Sequence, residues 1–263
     1  MTDTAEVLYE LADHVATITL NRPERMNTIS PAMLDQLTGR MIAADADPDV
    51  RVVILTGTGR AFCAGMDLTE ATGGGIRNSA AVATNLDLRE TPPTVMFNLG
   101  KPIICALNGS AAGYGLDVAL GCDIRLMAEG AKMAVAFVKR GVLPESGGTW
   151  LLPRLIGWSK AAELFFTGRT LSSAEALEMG LVSRVVPVAE LQAAARALAL
   201  EIAANAPLAV QAAKRMMRMG LSEGFNDHVH HVFLQLLPLL KSADAKEGMM
   251  AFMEKRAAVF EGR

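Results

Sequence analysis

The chain has 263 residues, 51% of them hydrophobic and 20% charged, with a formal net charge of −3, so it can bury a large core as one domain or as a domain with an appendage. No lysine or arginine block marks a nucleic-acid or anionic-membrane surface, no apolar run reaches the ~18 residues of a membrane span, and the acidic start MTDTAEVLYE lacks a secretion signal's layout, which together predict a soluble cytoplasmic protein. Cys63, Cys105 and Cys122 lie in apolar sequence without C-x-x-C spacing, and the four histidines form no ligand set, so buried thiols and no metal are expected.

Residues 7–20, VLYELADHVATITL, alternate around an Ala12-Asp13 break and predict a hairpin or two short strands. NRPERMNTIS reads as loop, and Ser30 before Pro31 is an N-cap and first-turn pair that opens a helix over about 31–45. VRVVILTG (50–57) and PIICALNG (102–109) are apolar on both faces, as buried parallel strands are, and DIRLMAE (123–129) is a third apolar strand. Helical stretches between and after them predict an α/β architecture with crossover connections. Residues 70–100, with Gly73-Gly74-Gly75 and Pro92-Pro93, read as a long excursion of the kind that is functional or disordered. Ser172 and Glu175 form a capping box, and from Val188 onward the pattern is helical. The chain thus divides into an α/β core over 1–190 and a helical appendage over 191–263. The appendage carries apolar residues over more than half of each turn in LAVQAAKRMMRMG and after His231, a surplus that predicts burial against another subunit.

TGTGRAFCAGMDL follows the first buried strand and NGSAAGYGLDVAL the second. Each ends where a helix should begin, so each can offer backbone N–H groups that no helix bond satisfies, and two such turns could converge on one oxygen as an oxyanion hole. Glycines that only permit tight strand-to-helix turns would leave the same pattern. No three-glycine dinucleotide fingerprint, no G-x-x-x-x-G-K-[ST] and no G-x-S-x-G elbow occurs. Two acids in apolar settings remain, Asp117 in GYGLDVAL and Glu145 in VLPESGG. Two carboxylates facing one cavity suit proton transfer beside a carbonyl, although an early-helix acid such as Asp117 also complements the helix dipole.

TLNRPERMNTIS, VVILTGTGRAFCAGMDL, KPIICALNGSAAGYGLDVALGCDIRLMAE, GGTWLLPRLIG, FTGRTLSSAEALEMGLVSRVVP and GMMAFMEKRAAVFEGR occur in order and resemble, over almost the whole length, the crotonase or enoyl-CoA hydratase/isomerase superfamily. The resemblance implies a crotonase-like spiral of ββα units with a C-terminal helical trimerisation region, homotrimers or dimers of trimers, and binding of acyl-coenzyme A thioesters whose enolate is stabilised by two backbone N–H groups. Coenzyme A is then part of the substrate, with no separate cofactor. Carried over by position, the oxyanion donors fall on the N–H groups of Met66 and Tyr114. Members commonly have glycine at the latter position, so the Tyr114 phenol should reshape the acyl pocket. Arg25, Ala64, Asp67 and Leu68 match positions lining the pantetheine and nucleotide end, and Phe252 and Lys255 match a C-terminal segment that closes over the nucleotide. Family hydratases use two glutamates, one where this chain has Asp117 and one where it has Phe137. Glu145 falls where several double-bond isomerases place their acid, and Asp117 coincides with a supporting acid of the dienoyl type. The expectation is therefore double-bond isomerisation of an unsaturated acyl-CoA by Glu145, assisted by Asp117. The alternatives are hydration using Asp117 and Glu145, and a non-catalytic acyl-CoA-binding subunit.

Overall fold

The computed structural model describes residues 5–67, 92–144 and 146–263. Val7–Ala12 (β1) and Val15–Leu20 (β2) pair antiparallel from Val7 opposite Leu20 to Ala12 opposite Val15. Asp13 and His14 between them are both left-handed (φ 50° and 64°), the turn geometry whose twist matches that of a hairpin's strands. β2 continues into a parallel array through Val52–Gly57 (β3), Ile103–Leu107 (β5), Ile124–Ala128 (β7) and Arg184–Val186 (β10), in the order β1-β2-β3-β5-β7-β10. β3 and β5 are buried at every position, which explains their uninterrupted apolar sequence. A smaller sheet has the order β4-β6-β8-β9, from Ala61–Cys63 (β4), Ser110–Ala112 (β6), Lys132–Ala134 (β8) and Thr170–Ser172 (β9). The chain therefore steps three times from a large-sheet strand to a small-sheet strand, β3 to β4, β5 to β6 and β7 to β8.

The Ser30 Oγ accepts the Met33 N–H at 2.9 Å and starts Pro31–Ala46 (α1), which buries Met33, Leu37, Met41 and Ala44. Pro92 and Pro93 open a short helix, Pro92–Asn98 (α2), where the sequence pattern reads as part of the excursion. Proline at the start of a helix loses no intrahelical bond, so the pair initiates structure here instead of marking a loop. The remainder of that excursion, through residue 91, lies outside the described residues. Tyr114–Gly121 (α3) is buried at every position. It is followed by Gly148–Ile156 (α4), Trp158–Thr167 (α5) and Ser173–Glu178 (α6), whose capping box forms as predicted, with Glu175 Oε2 accepting the Ser172 N–H at 2.8 Å.

Leu191–Ala203 (α7) follows the expected core boundary and lies across β2, β3, β5 and β7, burying Leu191, Ala195, Ala199 and Ala203. Pro207–Met219 (α8) is tied down by charge. The buried Lys214 Nζ is 2.7 Å from Asp123 Oδ2 and donates to the Lys101 carbonyl at 2.6 Å, while Arg218 Nη2 is 2.7 Å from Asp123 Oδ1. Burial holds the Lys214 ammonium below the usual lysine range, with Asp123 opposing that shift. Phe225–Leu239 (α9) has no buried residue, and its Phe225 and Phe233 are 80% and 56% exposed. Ala243–Glu254 (α10) ends the helical series. No single helix among the described residues is long and apolar enough to cross a membrane.

Candidate active site

Two turns meet where β4 and β6 end. After β4 the chain runs Ala64-Gly65-Met66-Asp67, and Met66 forms a parallel bridge with Ile29. The bonds of that bridge fall on its neighbours: the Gly65 carbonyl accepts the Ile29 N–H at 2.8 Å, and the Asp67 N–H donates to the Ile29 carbonyl at 3.0 Å. In a parallel ladder the residue between two such bonds directs its own N–H away from the partner strand. No bond to the Met66 N–H is made among the described residues. Tyr114 is the first residue of α3 and follows Gly113, whose φ of 52° and ψ of −124° reverse the chain from β6 into the helix. The first N–H groups of a helix have no partner within it. The approach of the two turns is tight. A Cβ placed on Gly65 would stand 3.0 Å from the Ala112 carbonyl oxygen and 3.7 Å from the Tyr114 nitrogen, and one on Gly115 would stand 2.7 Å from the Cys63 Sγ. Only glycine fits either position, so here the glycines do more than turn the chain: they bring the heads of both turns together.

A buried polar network holds the first turn. Arg22 Nη2 lies 3.3 Å from Asp67 Oδ2, its Nε 3.4 Å from Glu6 Oε1, and its Nη1 donates to the Thr28 carbonyl at 2.9 Å. The Thr28 Oγ1 donates to the same Asp67 oxygen at 3.3 Å, and Ser30 Oγ donates to Glu6 Oε2. The fully buried Asn27 accepts the Arg22 N–H at 2.8 Å and donates to the Thr58 and Ala61 carbonyls at 2.9 and 2.8 Å, joining the NRPERMN loop to the segment between β3 and β4. Sequence reading missed Arg22 and Asn27. The signal was their three-way spacing around a proline in NRPERMN, which carries no chemistry until the chain folds.

Asp117 follows directly on the second turn. Asp117 sits in the first turn of α3 with no exposed surface, and its Oδ2 accepts the Ser146 N–H at 3.3 Å. A Cβ on Gly148 would overlap Asp117 Oδ1 and lie 3.2 Å from Pro144 Cβ, so Ser146 and Gly148 are packed directly on this carboxylate. Glu145 lies outside the described residues, and so does Leu68. Phe137 is 5% exposed and belongs to the main apolar core. Cys63, one residue before Ala64, is fully buried, and burial pushes its thiol up to about 12 against a small opposing bond from the Gly65 backbone, which keeps it protonated and unreactive.

Of the residues matched to the nucleotide end, Arg25, Ala64 and Asp67 lie on adjoining segments, with the Ala64 N–H donating to the Met26 carbonyl at 3.1 Å. Arg25 is exposed at the end of the short 3-10 turn Pro23–Arg25, Ala64 is half-buried, and the Asp67 carboxylate is turned inward on Arg22 and Thr28. Phe252 is 86% exposed at the end of α10, with Lys255 in the left-handed capping position beyond it. The bonds that anchor the following segment run to Glu247, Asp244 and Arg51, with Arg51 Nη2 donating to the Phe260 carbonyl at 2.6 Å. Among the described residues, no three His, Cys, Asp or Glu side chains are grouped to hold a metal ion.

The description of the enoyl-CoA hydratase/isomerase family matches residues 10–263. The (E)-benzylidenesuccinyl-CoA hydratase of Thauera aromatica is 39% identical over 258 residues, covering 97% of this chain and 99% of that protein. The 1,2-epoxyphenylacetyl-CoA isomerase of Escherichia coli (strain K12) is 36% identical over 266 residues, 98% of each. A solved enoyl-CoA hydratase from Mycobacterium tuberculosis H37Rv superimposes with a TM-score of 0.90 at 36% identity, over 99% of this chain and all of that one. The stepped double sheet with its trailing helices is accordingly the crotonase fold. The chain belongs to the enoyl-CoA hydratase/isomerase family and is an enzyme of that family.

Proposed function

We propose that the chain shifts a double bond in an unsaturated acyl-CoA, with Glu145 taking a proton from one carbon of the acyl chain and returning it to another. The Met66 and Tyr114 N–H groups polarise the thioester carbonyl and carry the enolate, each donor contributing about 3–4 kcal/mol to the barrier reduction. The observation that carries the choice of isomerisation is Phe137. At the position where the resemblance places a hydratase's second acid stands an aromatic ring buried in the core, which can neither activate nor deliver water. The proton must then be carried by another acid, and Asp117 accepts the N–H of Ser146, the residue that follows Glu145 in the chain. A second reading, hydration with Asp117 and Glu145 sharing the work, is favoured by that same adjacency.

Both relatives named above act, by name, on CoA esters bearing an aryl group, so aryl and alkyl esters belong in one substrate panel. Replacing Glu145 by Gln should remove most turnover, about 10²- to 10⁴-fold, while leaving CoA-ester binding intact. Parent-rate isomerisation by this variant would refute the assignment. Loss of thioester absorbance from a conjugated 2-enoyl-CoA would select hydration. Self-association belongs to the same proposal: the exposed apolar residues of α9 are covered by a second copy of the chain, and a monomer in sedimentation at micromolar concentration would exclude this.

A further inference from the structure

We infer that Asp67 is a positioning residue: gripped by Arg22 and Thr28, its carboxylate fixes the first turn so that the Met66 N–H is held on the thioester oxygen, an inference that rests on the reading of Met66 as an oxyanion donor. The need for a side-chain grip is local. Residues 64–67 are laid on residues 26–29 by backbone bonds from the Ala64 N–H to the Met26 carbonyl at 3.1 Å, from the Ile29 N–H to the Gly65 carbonyl at 2.8 Å and from the Asp67 N–H to the Ile29 carbonyl at 3.0 Å. The pairing of Ile29 with Met66 is an isolated bridge, and among the described residues no ladder extends it. Its other side has an uncommon shape. Met26 and Asn27 are both left-handed, at φ 53° and 54°, a conformation that residues with a Cβ keep only where their surroundings enforce it.

What enforces it converges on Arg22 and Asp67. Asn27 is fastened by its side chain to the Arg22 N–H and to the Thr58 and Ala61 carbonyls. Arg22 Nη1 bonds the Thr28 carbonyl while its Nη2 lies 3.3 Å from Asp67 Oδ2, so one guanidinium spans both sides of the bridge, and the Thr28 hydroxyl donates to the same carboxylate oxygen. Glu6, 3.4 Å from Arg22 Nε, accepts from Ser30, the N-cap of α1, and carries the hold back to a long helix. Asp67 is 5% exposed, with its charge engaged inside this network. A carboxylate turned outward to the phosphates of coenzyme A would meet like charge. The inward orientation therefore suits a support for the main chain better than the contact with the nucleotide end that the resemblance implies.

A support and a coenzyme A contact respond differently to substitution. D67N keeps an acceptor oxygen for Arg22 and Thr28, whereas D67A loses it. The probe is p-methoxycinnamoyl-CoA, whose conjugated thioester absorbs at longer wavelength when backbone donors draw charge onto its carbonyl oxygen. For a support, bound D67A should lose most of the parent's red shift, and its kcat on the best acyl-CoA of the panel should fall about tenfold to a hundredfold, since a displacement of about 1 Å at a reacting group costs up to ~10²-fold. D67N should stand nearer the parent in both readouts, and the calorimetric Kd for free coenzyme A should change little in either variant. A parent-sized red shift in D67A, or equal losses of shift in D67A and D67N, would overturn the inference. Weaker binding of free coenzyme A with the shift intact would overturn it too, by making Asp67 a coenzyme A contact. Thermal melting confirms that each variant is folded. If D67A does not fold, T28V, which removes one donor to the same oxygen with little change of shape, replaces it: part of the red shift should be lost, and an unchanged shift overturns the inference. The parent separates the two readings, because a bound ester with no red shift there removes the oxyanion assignment itself, whatever the Asp67 variants do.

Discussion

Gly115→Ala tests whether the spacing between β4 and α3 sets the separation of the two backbone donors. Gly115 is the second residue of α3, and alanine in a helix ordinarily stabilises by about 0.5–1 kcal/mol relative to glycine. Here the new methyl carbon would stand 2.7 Å from both the Cβ and the Sγ of Cys63 and would also meet the Cys63 carbonyl, against ordinary contact at 3.4–4 Å. The contacts on one side are β4 main chain and a fully buried side chain, so the helix must retreat by roughly 0.7 Å or more. Overpacking of this kind costs about 1–3 kcal/mol, enough to cancel the propensity gain and leave a net loss of about 1–2 kcal/mol. Because Met66 follows β4 and Tyr114 leads α3, the retreat also parts the Met66 and Tyr114 N–H groups, and turnover should fall by about tenfold to a hundredfold. Urea denaturation and turnover of the best acyl-CoA in the panel read the two effects on the same preparation. A variant as stable as the parent, or more so, with unchanged turnover would show that the contact neither strains α3 nor spaces the donors.

Arg22→Met removes the centre of the network on Asp67 and Glu6, taking the guanidinium charge away from both carboxylates, and should lower unfolding stability by about 3 kcal/mol in urea; a loss below 0.5 kcal/mol would mean the network is dispensable. Cys63, buried and raised to about 12, should not react with a thiol reagent at pH 8 until the chain unfolds, and labelling of the native protein at that cysteine, read by peptide mapping, would contradict its placement. Glu247 is held down to about 2 by Arg256, whose Nη1 and Nη2 lie 2.6 and 2.8 Å from its oxygens, and by the Val259 N–H. A depressed folded value means its contribution to stability is present above the ordinary 4.5 and is lost as pH falls from there toward 2. The melting-temperature gap between the parent and Glu247→Gln should accordingly be open at pH 6 and closed near pH 2, and a gap independent of pH would refute this.

What could be read before folding was whatever depends on near neighbours. The β1–β2 hairpin, the Ser30-Pro31 start of α1 and the Ser172/Glu175 capping box are each fixed by residues within a few positions, and each forms as read. The apolar β3 and β5 likewise announced burial on both faces. Pro92-Pro93 misled because the same dipeptide breaks a helix from within and begins one from its first position. Arg22 and Asn27 were illegible because every partner of theirs that matters at the site is brought in by strand pairing, from Thr58 and Ala61 to Asp67 some forty-five residues away. Asp117 was visible as an acid, but its bond to Ser146, twenty-nine residues on, is a product of how α3 meets α4. α9 showed the reverse case: its pattern announced apolar surface, and a single chain buries no residue of it.

Gly65 and Gly113 stand immediately before Met66 and Tyr114, in backbone conformations with φ of 102° and 52° that side-chain-bearing residues rarely adopt. Tolerance to mutation is thereby divided between adjacent codons. The glycine of each pair is locked by backbone shape, while its neighbour has an ordinary backbone and is constrained by what its side chain packs against, Tyr114 within the core and Met66 at its edge. A deep mutational scan selected for folding should show two columns that accept only glycine, each followed by one that accepts other residues of similar size and polarity.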